Sequence, residues 1–149
     1  LWLTLFRDKI DEIMEQVKCP VAVFVNRQYR EGATISFVLG GMIDLFLFSY
    51  LDKMLQNGHS VRLFLFDTDD EEFRGRIDDL QVRYPEQTMI VWFAGVEDLV
   101  TEEKDGLLIM SHLSYTKLSE DEAVMRELSS LLVIRRNKNT GDKNEGLEN

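Results

Sequence analysis

β-prone and helical segments alternate along this 149-residue chain, which predicts an α/β fold: a mainly parallel sheet of about five strands with helices on both faces. Three observations carry that prediction. Residues 21–25 (VAVFV), 61–66 (VRLFLF), 88–93 (TMIVWF) and 107–110 (LLIM) are short and rich in apolar and β-branched residues, the pattern of strands covered on both faces. Longer segments between them place apolar residues at helical spacing. Finally, 44% hydrophobic and 30% charged residues make an ordinary globular composition, and this length suits one domain, here residues 1–136.

In chain order, residues 1–18 read as an amphipathic helix. Phe6, Ile10, Ile13, Met14 and Val17 fall on one face and Asp8, Asp11, Glu12 and Glu15 on the other. Pro20 ends it, because the residue before a proline is pushed out of the helical region. The strand at residues 21–25 follows, then a polar loop at residues 26–32. Residues 33–39 suit either a strand or a backward extension of the next helix, since Thr34, Ile35, Phe37 and Val38 are β-prone.

The segment from residue 40 to 58 predicts a long buried helix closed by Gly58, followed at once by a strand at residues 61–66. Its apolar stretch, residues 33–51, approaches the roughly 20 residues of a membrane span. Asp44 lies in the middle and Gly40-Gly41 interrupts the run, so it reads as a buried strand and helix, and no membrane association is expected. If buried, Asp44 must find a partner.

Thr68 followed by Glu71 has the spacing of a capping box, with Phe73, Ile77 and Leu80 turned inward along the helix that ends before Pro85. A strand at 88–93, a linker or helical turn at 96–104 and a strand at 107–110 follow. Ser119 with Glu122 repeats the capping spacing and predicts a helix over about 120–130. Leu132, Val133 and Ile134 read as an added edge strand, and residues 137–149 as a flexible polar tail.

Net charge of −10 opposes general nucleic-acid binding, which depends on phosphate neutralisation. Arg135, Arg136, Lys138 and Lys143 form a modestly basic end. One cysteine, Cys19, excludes an intramolecular disulfide and a cysteine-based zinc site, in keeping with an intracellular location, cytoplasmic or nuclear. No metal site and no cofactor are expected.

Ligands of parallel sheets bind beyond the strands' carboxyl ends. The residues placed there by the sequence, Asn26, Asp67, Gly95, Ser111 and His112, are the ligand-binding candidates. Asp67 and Asp69 after an apolar strand resemble the first motif of haloacid-dehalogenase-type phosphatases. The resemblance implies a nucleophilic aspartate, a second aspartate handling the proton and bound magnesium, with Ser111 and Lys117 as later motifs. The family's fourth motif has no counterpart after Lys117. A capped helix start accounts for the same acids.

No Gly-Lys-Ser/Thr and no G-x-G-x-x-G occurs, so neither a phosphate loop nor a conventional dinucleotide fingerprint is present. The element order nevertheless resembles the core of RecA- and KaiC-type ATPases, and implies a Rossmann-like or RecA-like three-layer sandwich. Residues 21–25, 40–58, 61–67, 89–98 and 107–112 fill the family's places, with residues 26–32 where its phosphate loop would be. Relatives without that loop serve as structural subunits, some in recombination and repair assemblies.

Trp2, Leu3, Leu5 and Phe6 exceed what one docking face needs and are the partner-binding candidates. The leading expectation is a non-catalytic subunit that binds another protein or itself. The alternatives are a magnesium-dependent phosphoryl-transfer enzyme centred on Asp67 and Asp69, and a sensor of a nucleotide or other small ligand at the strand ends.

Overall fold

Six strands form one sheet in the order β1-β6-β5-β2-β3-β4. They are β1 (Val21–Val25), β2 (Ile35–Leu39), β3 (Val61–Phe66), β4 (Thr88–Phe93), β5 (Leu107–Ser111) and β6 (Ser130–Arg135). The computed structural model describes residues 2–66, 68–93, 95–100 and 104–136, with residues 2–8 described in backbone only. Five strands run parallel and β1 alone pairs antiparallel, with β6. The sheet therefore has one strand more than the sequence predicts.

Helices occupy the connections: α1 (Trp2–Gln16), α2 (Phe48–Gln56), α3 (Glu71–Arg83), α4 (His112–Leu118) and α5 (Glu122–Glu127). The segment predicted as one helix over 40–58 divides into a 3-10 segment, Met42–Leu47, and α2. Gly41 opens it at φ 131, a conformation that L side chains rarely adopt, so a glycine is required at that turn. Residues 33–39, ambiguous in sequence, supply β2 at the middle of the sheet. Among the described residues no helix is long and apolar enough to cross a membrane.

Successive side chains of a strand point to opposite faces, and here they feed two separate clusters. Phe37 and Leu39 of β2, Leu63 and Leu65 of β3 and Ile109 of β5 pack with Leu51 and Leu55 of α2 and Phe73, Ile77 and Leu80 of α3. Val38, Phe64, Leu108 and Met110 pack instead with Ile10 and Met14 of α1, Tyr115 and Leu118 of α4, and Val124 and Met125 of α5. Burying a Leu, Phe or Ile stabilises by about 1.5–3 kcal/mol relative to exposure, so both clusters are needed to hold the sheet.

Several expectations need correcting. Strand β1 is an edge strand, uncovered at Ala22 and Phe24, while β6, expected at an edge, lies between β1 and β5. The capping boxes are displaced: Asp70 caps α3 by accepting from the amides of Glu72 and Phe73, and Thr68 instead accepts from the Asp70 amide. Asp121 likewise caps α5, and Ser119 closes α4, a short helix that the sequence reading misses. Aspartate outcompetes threonine or serine here because its carboxylate also meets the positive end of the helix dipole.

A part-buried strap ties β1 to the other elements. The Arg27 guanidinium donates to the carbonyls of Met125 and Leu128, and the Arg27 amide donates to Ser130 Oγ at 2.7 Å. Burial lowers the Arg27 pKa from its ordinary value.

Candidate functional site

Neighbouring strands β2 and β5 run parallel, yet their outgoing connections part. β2 leads through the 3-10 segment and α2 to β3 on one side, and β5 leads through α4 and α5 to β6 on the other. Such a divergence opens a crevice at the carboxyl ends of the two strands. A crevice of about 300 Å³ lies there, lined by Ile43, Asp44 and Phe46 of the 3-10 segment, Ser111, and His112, Leu113 and Thr116 of α4, with Ile134, Arg135 and Arg136 beside them.

Asp44 is the centre of this site. Its residue is 0% exposed. One carboxylate oxygen, Oδ2, accepts from the Gly40 amide at 2.6 Å and from Ser114 Oγ at 3.1 Å, joining the β2 turn to α4. A Cβ at Gly40 would stand 3.2 Å from that oxygen, which keeps the position small. The other oxygen, Oδ1, is buried without any hydrogen-bond partner.

Ser111 caps α4 by accepting from the Ser114 amide at 3.1 Å, so it serves the helix as well as lining the crevice. His112 is tied down by Asp11 of α1, whose Oδ1 lies 2.8 Å from Nε2, and its ring stacks on Tyr115. Arg135 donates from Nη2 to the carbonyls of Val17 and Cys19, while its Nε and Nη1 are buried without partners. The Arg136 guanidinium lies over the Phe46 ring, 5.9 Å from its centroid. Ile43, 50% exposed, and Leu113, 42% exposed, give the mouth two apolar lips.

Of the candidates read from sequence, the structure brings together only Ser111 and His112. Because β1 runs against the other strands, Asn26 follows Val25, the partner of Leu131, at the amino end of the parallel sheet. Gly95 follows β4, three strands from β5 and roughly 14 Å away at about 4.8 Å per strand. Asp67 lies outside the described residues, as do the side chains of Trp2, Leu3, Leu5 and Phe6. Asp69 is exposed beside the α3 cap. Among the described residues no group of three or more His, Cys, Asp or Glu side chains is placed to hold a metal.

The sequence reading missed Arg135 and Asp44 as members of one site. A signal for Asp44 was present: it is the one charge in an apolar run of 19 residues, and such a charge either exits to water or does work where it is buried. Compared with known proteins, the chain matches no protein-family model, no curated protein and no solved structure.

Proposed function

We propose that this chain is a small-ligand-binding α/β domain, a doubly wound, Rossmann-like three-layer sandwich whose site is the crevice above β2 and β5. Counting β2 as the first parallel strand, the order from β4 to β6 is the 3-2-1-4-5 of doubly wound folds, and the two clusters supply helices from different connections. The observation that carries the reading is the unpartnered Asp44 carboxylate oxygen at the crevice. Leaving such a group unpaired costs about 1–3 kcal/mol, a cost that a ligand donor removes. Apolar walls with a few convergent polar groups, at the lower end of the usual 300–1,000 Å³ range, fit a small molecule.

A thermal-shift panel of nucleotides, sugar phosphates and amino acids at millimolar concentration tests this. At least one class raises the melting temperature of the wild-type chain and fails to raise that of Thr116→Trp, which fills the crevice. A panel with no stabilising class, or equal stabilisation of both chains, contradicts it.

A second reading, the protein-interaction subunit with RecA- or KaiC-like element order, draws support from β4. This edge strand carries no charged residue and exposes Met89 (58%) and Trp92 (40%), against the usual guarding of edges by charge. On that reading Met89→Lys weakens self-association in light scattering; a monomer at all concentrations, with or without the substitution, argues against pairing of this chain with itself.

A further inference from the structure

Among the described residues, three buried side-chain polar atoms lack a partner: Asp44 Oδ1, Arg135 Nε and Arg135 Nη1. Both residues line the same crevice. One is a negatively charged hydrogen-bond acceptor and the other a positively charged donor, and each already spends part of its capacity on fixing its own position. Asp44 Oδ2 is held by Gly40 and Ser114, and Arg135 Nη2 by Val17 and Cys19. Neither side chain can swing away without breaking those bonds, so the crevice is lined by a fixed carboxylate and a fixed guanidinium. Ile43, Phe46, Leu113 and Ile134 line the same crevice; they offer nothing to a polyol and contact area to a hydrocarbon.

We infer that the crevice binds the zwitterion of an apolar amino acid, its ammonium donating to Asp44, its carboxylate accepting from Arg135, and its side chain lying between Ile43 and Leu113. This rests on the reading of the crevice as a ligand site and adds the ligand's class. Charge-assisted hydrogen bonds at both ends are the strong kind, and with Nη2 of Arg135 already engaged, its Nε or Nη1 N–H is left to donate to a carboxylate oxygen. A single free anion or a single free amine satisfies one of the two groups and leaves the other charge unpaired, which is the more costly arrangement. An amino acid satisfies both. The volume near 300 Å³ accommodates a side chain of the size of leucine or phenylalanine.

The test is isothermal titration calorimetry of the wild-type chain with L-phenylalanine and L-leucine. Phenethylamine, which lacks the carboxylate, and N-acetyl-L-phenylalanine, which lacks the ammonium, serve as comparison ligands. AMP and ribose 5-phosphate provide a separate arm. The expected result is saturable binding of at least one amino acid, weakened tenfold or more by either truncation and by Asp44→Asn. That variant keeps a carbonyl acceptor for Gly40 and Ser114, and its fold is checked by circular dichroism. Because the truncated ligands act on the unchanged chain, the outcome does not depend on a variant folding. Binding of AMP or ribose 5-phosphate without amino-acid binding overturns the ligand class and leaves the crevice as a site. Binding of no compound overturns both, and equal binding of the truncated ligands overturns the two-ended recognition.

Discussion

The parallel sheet is open at both ends, and the two openings differ in a way that size does not reveal. At the amino ends a groove of about 750 Å³ runs past Tyr29, Thr34, His59, Arg62, Glu86 and Thr88. The carboxyl-end crevice is less than half as large. Among the described residues no buried side-chain polar atom of the groove lacks a partner: Gln87 Nε2 donates to the carbonyls of Leu55 and His59, each at 2.9 Å, and Thr88 Oγ1 donates to the Tyr84 carbonyl at 2.8 Å. The Val61 amide donates to the Gln87 carbonyl and the Leu107 amide to that of Thr34. In the crevice an acid and a guanidinium keep unused capacity. A large opening whose buried polar groups are already paired gives a ligand little to satisfy, whereas fixed, unpaired charges at a small one are what the proposed ligand would pair.

Substitutions at the two ends separate these roles, beginning with the greatest expected loss. Asp44→Ala removes the acceptor for Gly40 and Ser114 inside the core and lowers stability by about 3 kcal/mol, roughly 6–12 °C in melting temperature, read by urea and thermal unfolding. A loss below about 1 kcal/mol means that the carboxylate does not join β2 to α4. Gln87→Ala at the groove costs about 1 kcal/mol, because water replaces part of what two carbonyls lose, and it leaves ligand binding unchanged. His59→Ala, at an exposed position, stays within about 0.5 kcal/mol of wild type by the same unfolding measurement. If His59→Ala abolishes binding of a ligand found by the panel, the assignment of the two ends is reversed.

Sequence legibility followed the same division. Apolar runs such as residues 61–66 and 107–110 and the spacing of Phe73, Ile77 and Leu80 announce buried strands and a helix, since hydrophobic periodicity is local. Direction is not local. Nothing in VAVFV distinguishes an antiparallel edge strand from a buried parallel one, and that single reversal carries Asn26 to the opposite rim. Helix α4 is only seven residues long and is held by packing of Tyr115 and Leu118, so propensity alone does not reveal it. Asp70 and Asp121 are legible as cap residues, but the Ser/Thr-to-Glu spacing beside each matches a capping box equally well. The site was half legible. Ser111 and His112 follow an apolar run, and Asp44 stands alone among apolar neighbours, but the placing of Asp44 in one crevice with Arg135, 91 residues later in the chain, depends on the order of strands.

The central claim, that the carboxyl-end crevice is where this chain receives a ligand, is tested most directly by amide chemical-shift mapping during titration with L-phenylalanine. The account predicts saturable shifts at Gly40, Asp44, Ser111, Leu113 and Arg135, with Thr34, His59 and Gln87 unmoved. Shifts confined to the amino-end groove, or none at any concentration together with none from AMP, contradict it.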